Sequence, residues 1–74
     1  MSEIEGAAIT VTLNGEAREI PAGLSVRGLL EHLRLNERLV VVERNREILR
    51  RGDYGEVRVK AGDVLELIHF VGGG

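Results

Sequence analysis

The chain has 74 residues and a mass of 8.1 kDa, enough for one small domain but too few for a large internal active-site cleft. Twelve acidic residues against ten basic ones give a formal net charge of -2, which lacks the concentrated basic character of nucleic-acid-binding proteins. The chain has no cysteine, and this excludes disulfide bonds, thiolate metal sites and a thiol nucleophile.

No apolar run in the sequence approaches the roughly 20 residues that a membrane-spanning helix needs. The first residues, MSEIEGAA, are acidic where a signal peptide would be basic and then apolar. We therefore predict a cytoplasmic protein that binds no membrane. Residues 1–7 are predicted to form a short disordered leader before the folded domain.

The chain is predicted to begin with a β-hairpin. Residues 9–13 alternate between apolar side chains and threonine, which is the two-residue period of a half-buried strand. The dipeptide Asn14-Gly15 follows, and both of its residues tolerate the positive φ angles of a tight hairpin turn. A second strand is predicted over residues 16–20, and its weak pattern leaves the register open.

A helix is predicted after the hairpin. Pro21 lacks an amide donor, Gly23 permits a bend, and Ser25 is a favourable N-cap residue. Over residues 26–34 the apolar side chains recur at the spacing of one helix face, which consists of Val26, Leu29, Leu30 and Leu33. The opposite face, which meets water, carries Arg27, Glu31 and Arg34.

The middle of the chain contains several short elements. The segment LVVVE, residues 39–43, is β-branched and continuous, which predicts a strand that is buried on both faces or lies beside the middle of the sheet. The further predictions are a turn at Asn45 and Arg46, a short strand from Ile48, a loop or single helical turn over residues 50–56 pinned by Tyr54, and a short extended segment over residues 57–59.

A last strand is predicted over residues 64–71, with Leu65 and Leu67 facing the core and Ile68 and Phe70 exposed. The order of elements predicts an α+β fold in which the first and last strands are neighbours. This is the β-grasp, or ubiquitin-like, roll: a mixed sheet of about five strands with one main helix packed across it. The predicted domain covers residues 8–71, and residues 72–74 form a flexible glycine tail.

The ionisable residues of the sequence do not form a catalytic or metal-binding pattern. His32 is predicted to lie on the helix surface and His69 to be a partly packed structural residue. Asp53 and Asp63 each follow a glycine, a position typical of turn formers. No metal site is expected.

Two features of the C-terminal segment predict that it binds a partner. Exposed apolar residues that lead into a tail are typical of a partner interface, so Ile68, Phe70 and Val71 are predicted to bind a partner. The residues Gly72, Gly73 and Gly74 have no side chains, so such a tail can thread where a Cβ atom would clash.

Three stretches of the sequence also carry a resemblance: ITVTLNGEAREIPAGLSVRGLLEHL, VVVERNREIL and KAGDVLELIHFVGGG. Together they strongly resemble the ThiS family, the bacterial sulfur carrier proteins of thiamine biosynthesis, from about Ile9 to Gly74. The family commonly has Asn-Gly after its third strand, where this chain has Asn45 and Arg46.

The resemblance implies a carrier and co-substrate, free as a monomer, and not an enzyme. An E1-like adenylyltransferase would use ATP and magnesium to activate the carboxylate of Gly74, and the carrier itself would bind no cofactor. A sulfur donor, such as the persulfide of a cysteine desulfurase, would convert the adenylate into a thiocarboxylate. That sulfur would pass to thiazole synthase. Gly73 and Gly74 would be the functional pair, with Gly72 as a spacer.

The resemblance leaves three alternatives open. A sister carrier on the same fold could deliver sulfur to molybdopterin, to tRNA or to cysteine synthesis. A ubiquitin-like modifier would use the same adenylated glycine to form isopeptide bonds. A plain interaction module would carry the tail without using its chemistry.

Overall fold

The computed structural model describes residues 7–70. The predictions for residues 1–6 and for residues 71–74 therefore lie outside the described residues. At the first described position, the carbonyl of Ala7 accepts a hydrogen bond from the amide of Ala22 at 3.0 Å. The proposed domain boundaries stay predictions.

The described residues form a five-stranded mixed sheet with one α-helix, as predicted. The strand order is β2-β1-β5-β3-β4, in which β1 and β5 are parallel and the other neighbours are antiparallel. The strands are β1 at Ala8–Leu13, β2 at Glu16–Pro21, β3 at Val40–Arg44, β4 at Glu47–Ile48 and β5 at Val64–His69, and the helix α1 is at Val26–His32. Short 3-10 turns lie at Glu37–Leu39 and Arg51–Asp53.

The predicted first hairpin is confirmed, and its register is now fixed. Asn14 and Gly15 have φ angles of 49 and 85 degrees, the left-handed pair that a two-residue hairpin turn needs. The pairing runs from Leu13 opposite Glu16 to Ala8 opposite Pro21. Pro21 is therefore the last residue of β2, one position beyond the predicted end of the strand at residue 20.

The helix begins where predicted, because the Ser25 side chain accepts a hydrogen bond from the amide of Gly28 at 3.0 Å. It ends at His32, before the predicted end at residue 34. Arg34 takes a φ of 63 degrees, and the amide of Leu35 donates to the carbonyl of Leu30 at 2.8 Å. This is the Schellman ending, in which an arginine here occupies the position usually taken by glycine.

The core lies between α1 and one face of the sheet. Its fully buried members include Val26, Leu29 and Leu30 from the helix and Val40 and Val42 from β3. Leu39 is 41% exposed and Val41 is half-buried, so the prediction that this strand is buried on both faces is wrong. The single helix covers one face of the sheet, and β3 accordingly alternates, although it does lie beside the central strand as predicted.

Tyr54 anchors the segment that follows β4. Its side chain is 1% exposed, and its hydroxyl donates to the carbonyl of Val40 at 3.0 Å and accepts from the amide of Val42 at 3.1 Å. The predicted helical turn pinned by this tyrosine is confirmed as the 3-10 turn Arg51–Asp53. Residues 57–59 form no strand and contribute one isolated bridge, between Ser25 and Arg58.

Two asparagines flank the central strand β5. Asn14 accepts a hydrogen bond from the amide of Leu67 at 2.8 Å, and Asn45 accepts one from the amide of Val64 at 2.9 Å. Each asparagine opens a hairpin turn, and each bonds β5 from a different side because β1 and β3 are its two neighbours. The turn residues thereby fix the position of the last strand.

The turn before β5 depends on the buried carboxylate of Asp63, which is 6% exposed. It accepts hydrogen bonds from the amide of Lys60 at 2.9 Å, from Arg44 Nε at 2.9 Å and from Asn45 Nδ2 at 3.2 Å. Burial alone would raise the pKa of Asp63, but these three donors and the charge of Arg44 outweigh it and lower the pKa below 3.8.

We expect Arg46→Gly to stabilise the protein. Arg46 has a φ of 74 degrees at the position that Gly15 occupies in the other hairpin. A left-handed conformation costs a non-glycine residue about 1–2 kcal/mol, and glycine avoids this cost. Glycine also makes the unfolded chain more flexible, which offsets part of the gain in stability. Urea unfolding should show a gain of about 0.5–1 kcal/mol.

The control is Gly15→Ala, which should lower stability by a similar amount. No atom lies within 4 Å of the added Cβ, so the backbone conformation supplies the whole effect. Equal stabilities of the wild type and Arg46→Gly would contradict the cost assigned to the left-handed backbone at Arg46.

Asp63→Asn should lower the free energy of unfolding at pH 7 by about 1–3 kcal/mol, because it removes a charged acceptor from three donors. The pKa of Asp63 is lower in the folded protein than the value of 3.8 expected after unfolding. Its contribution is therefore complete above pH 3.8 and is lost as the pH falls through the folded-state pKa. Urea unfolding should be measured from pH 7 down to about pH 2, where ordinary carboxylates are protonated. The free energies of unfolding of the wild type and of Asp63→Asn should converge as the pH falls. A constant difference between them would contradict this role of Asp63.

Candidate functional site

The face of the sheet opposite α1 carries a cluster of apolar side chains near the C-terminal end of β5. We call this cluster the outer patch, and its members are Leu39, Val41, Ile48, Ile68 and Phe70. Ile68 is 47% exposed and Phe70 is 54% exposed. Large apolar side chains exposed together on one face are typical of an interaction surface.

The register of β3 and β5 assembles the outer patch. Val41 lies directly opposite Ile68, and the amide of Phe70 donates to the carbonyl of Leu39 at 2.8 Å. Ile48, the most exposed member, lies opposite Glu43 in β4 and is thus a diagonal neighbour of Val41. The patch is therefore contributed by three strands and the 3-10 turn before β3.

The outer patch has an acidic border toward the middle of the sheet. Glu43 of β3 lies directly opposite Glu66 of β5, and both side chains are on the same face as Ile68. Like charges in directly opposite positions destabilise a sheet. The face therefore combines an apolar centre with a pair of carboxylates that no described partner neutralises among residues 7–70.

Ile68 and Phe70 are exposed and adjacent to the tail, as the sequence predicted, and their binding role stays a prediction. Val71, Gly72, Gly73 and Gly74 lie outside the described residues. The remaining members of the patch, which are Leu39, Val41 and Ile48, were not predicted from the sequence. Residues 39–42 are all apolar, so the sequence there holds no alternation that could separate outward-facing side chains from buried ones.

The two histidines lie apart. His32 is exposed at the end of α1, as predicted. His69 is also exposed, so its prediction as a partly packed residue is wrong. It lies on the face opposite Ile68 and lines an open groove of about 510 Å³, which the short helix α1 does not cover.

The acidic residues and histidines of the described range do not form a metal-binding group. Among residues 7–70, no three His, Asp or Glu side chains are grouped so that they could hold a metal ion. Asp63 is a turn former, as predicted, and its oxygens are taken up by Lys60, Arg44 and Asn45. Over the same range, no helix is long and apolar enough to cross a membrane.

The profile of the ThiS family matches residues 11–74 of the chain. The "Sulfur carrier protein ThiS" of Bacillus subtilis is 44% identical over 50 residues, which cover 68% of this chain and 76% of that protein. The match therefore extends over most of both sequences.

Two longer relatives are named "Thiazole synthase". The protein of Paramagnetospirillum magneticum is 44% identical and that of Magnetococcus marinus is 42% identical, each over 64 residues. These matches cover 86% of this chain but only 20% of each thiazole synthase. The chain thus spans about one fifth of the length of these relatives.

The fold also matches solved structures. The crystal structure of the thiamine biosynthesis protein (ThiS) of Geobacter metallireducens aligns with a TM-score of 0.75 and 35% sequence identity, covering 89% of this chain and all of that one (100%). The solution structure from the same organism gives the same score and identity and covers 89% of this chain and 88% of that chain.

Proposed function

Because the chain belongs to the ThiS family, we propose that it carries sulfur for thiamine biosynthesis as a thiocarboxylate on Gly74. The observation that supports this most strongly is the family match, which extends through the glycines to residue 74. In this function the protein is a carrier and co-substrate and not a catalyst. An outer patch beside a tail is the arrangement that such a carrier needs.

The chemistry begins with activation, since a carboxylate is a poor electrophile. In the proposed first step a Gly74 carboxylate oxygen attacks the α-phosphorus of ATP, and pyrophosphate leaves with its magnesium ion. In this proposal an E1-like adenylyltransferase supplies the site for ATP and magnesium, as membership of the family implies. The product is an acyl-adenylate whose leaving group is AMP.

Sulfur then enters from a donor that carries a persulfide, such as a cysteine desulfurase. The terminal sulfur of the persulfide attacks the Gly74 carbonyl carbon, and AMP leaves, so the carrier and donor are joined by an acyl disulfide. A second thiol attacks the donor's cysteine sulfur in that S–S bond, forms a new disulfide with the donor and releases the thiocarboxylate as the leaving group. This thiol belongs to a partner protein, because the chain has no cysteine. Thiazole synthase is the proposed acceptor of the sulfur.

The docking surface in this proposal is the outer patch together with Val71. A partner that contacts Ile68 and Phe70 holds the beginning of the tail, and Gly72 and Gly73 then give a slender path for the terminal carboxylate. Ordering each tail residue costs about 1–2 kcal/mol. Burial of the patch supplies the contact energy that offsets this cost.

Intact-mass spectrometry tests the proposed chemistry. The protein is incubated with its cognate adenylyltransferase, Mg²⁺-ATP and a persulfide donor, and its mass is then measured. We expect an AMP adduct without the donor and a gain of one sulfur-for-oxygen exchange with it. A chain lacking Gly73 and Gly74 is the control and should show neither product. Isopeptide conjugates on other proteins, without sulfur gain, would instead support a protein modifier.

Ile68→Lys tests the outer patch. Because Ile68 is 47% exposed, the substitution should change the free energy of unfolding by no more than about 0.5 kcal/mol. It should raise the KM for the carrier in adenylate formation by about tenfold, the equivalent of about 1.4 kcal/mol of lost contact.

Val64→Lys is the matched control for Ile68→Lys. Val64 is on the same strand and face and is 45% exposed, but it lies at the end of β5 away from the tail. It should keep the wild-type KM. Equal effects of the two variants would exclude a specific docking role for the patch.

A further inference from the structure

The edge of β5 that faces β1 is open at its C-terminal end. The parallel pairing of the two strands stops at Leu13 opposite Leu65, because β1 then turns into the hairpin. The next backbone groups of β5 on this side belong to Leu67, and the side chain of Asn14 bonds both of them, at 2.8 and 3.4 Å. The side-chain carboxamide of Asn14 thus takes the place of the backbone of one further strand residue.

Beyond Asn14, the backbone N–H and C=O groups of His69 point to this open edge. On the other side of β5, the amide of Phe70 bonds Leu39, and the antiparallel alternation makes Val40 and His69 a non-hydrogen-bonded pair. The His69 groups therefore face away from β3. Within residues 7–70, no strand backbone lies beside them.

A groove lies next to this open edge, on the α1 side of the sheet. Its apolar lining comes from Leu13, Leu33, Leu35 and Leu67. Glu16 and Arg18 of β2 border it on the far side. The groove stays open because α1 has only 7 residues and ends at His32.

We propose that the open edge at His69 and this groove receive an extended segment of the enzyme that activates Gly74. The segment pairs its backbone with the N–H and C=O of His69 and places an apolar side chain in the groove. This is addition of a strand to a sheet edge, in which main-chain hydrogen bonds provide affinity and a pocket provides specificity. The inference rests on the proposed function, which brings that enzyme to the tail.

The length of the tail supports this partner. The 4 residues after Phe70 span at most about 14 Å, so an enzyme that reacts with Gly74 must place its surface within that distance of Phe70. The open edge and the groove both begin at His69, next to Phe70. The two outer edges of the sheet, at Ala17 and Glu19 of β2 and at Glu47–Ile48 of β4, have exposed side chains and each lie two strands away from β5.

Amide hydrogen exchange tests the pairing directly. The ¹⁵N-labelled carrier is measured alone and with saturating cognate adenylyltransferase in the absence of ATP. Exchange of the His69 amide should slow by about tenfold or more in the complex, whereas the edge amides of Ala17 and Glu19 should keep their free rates. An unchanged His69 rate overturns the proposal, as does protection at Ala17 and Glu19 in its place. Protection of His69 in the free carrier also overturns it, because the chain itself would then occupy the edge.

Arg18→Trp tests the groove, because a bulky ring at this exposed position fills it. Its matched control is Glu19→Trp, which adds the same ring to the opposite face of β2. Arg18→Trp should raise the KM for the carrier in AMP-adduct formation by about tenfold with kcat unchanged, and Glu19→Trp should have no effect. Urea unfolding checks that both variants are folded.

The two proposals fail in different ways. If the wild-type carrier gains no AMP adduct, the proposed function fails and this inference fails with it. If the adduct forms while His69 exchanges at its free rate and Arg18→Trp keeps the wild-type KM, only the edge pairing is wrong.

Discussion

Parallel pairing between β1 and β5 joins the two halves of the sheet. The β1–β2 hairpin lies on one side of this pairing and the β3–β4 hairpin on the other. The direct register covers only Thr12 opposite Val64 and Leu13 opposite Leu65. Since these partners are separated by most of the chain, the pairing closes a long loop and carries the corresponding entropy cost.

Side chains around the turns reinforce this short pairing. Asn14 extends it by one residue through Leu67, and Asp63 ties the turn before β5 to Arg44 and Asn45. Tyr54 fixes the other side of the core by bonding Val40 and Val42 of β3. Most of these polar contacts connect a turn to a strand, so they position β5 while the apolar side chains fill the core.

The central position of β5 determines what each of its sides can do. Leu65 is fully buried against the core, and Ile68 and Phe70 project from the opposite face into the outer patch. Because β1 turns into the hairpin after Leu13, opposite Leu65, the edge of β5 facing it is open at His69 among the described residues. A partner that approaches the tail thus meets an apolar face, an open strand edge and a groove around a single strand end.

This arrangement suits a protein whose reactive group is a terminal carboxylate. The described residues contain no metal-holding group, and the chain has no thiol. In the function that we propose, the activation chemistry belongs to partner enzymes. In that function, the folded residues would hold the partner and the glycines would give the reacting atom access to it.

The sequence by itself determined the features that depend on residues a few positions apart. The two-residue period of residues 9–13, the Asn14-Gly15 turn, the Ser25 cap and the helical spacing from Val26 onward each predicted their element correctly. These signals are local because backbone turns and the faces of an element repeat over two to four residues. The resemblance from about Ile9 to Gly74 indicated the family, and with it the chemistry proposed for the tail.

Only the tertiary structure decided which faces and edges are covered. Arg34 and Arg46 adopt left-handed conformations that their residue type disfavours, because the packed helix end and the β3–β4 register require them. The outer patch acquired Leu39, Val41 and Ile48 when pairing across strands placed them beside Ile68 and Phe70. The backbone groups of His69 lie at an open strand edge because β1 stops pairing with β5 at Leu65. The side chain of Asn14, 53 positions away in the chain, bonds Leu67 just before this edge. Such contacts join residues too distant in the chain for any local pattern to encode, so the outer patch and the open edge form only when the sheet closes.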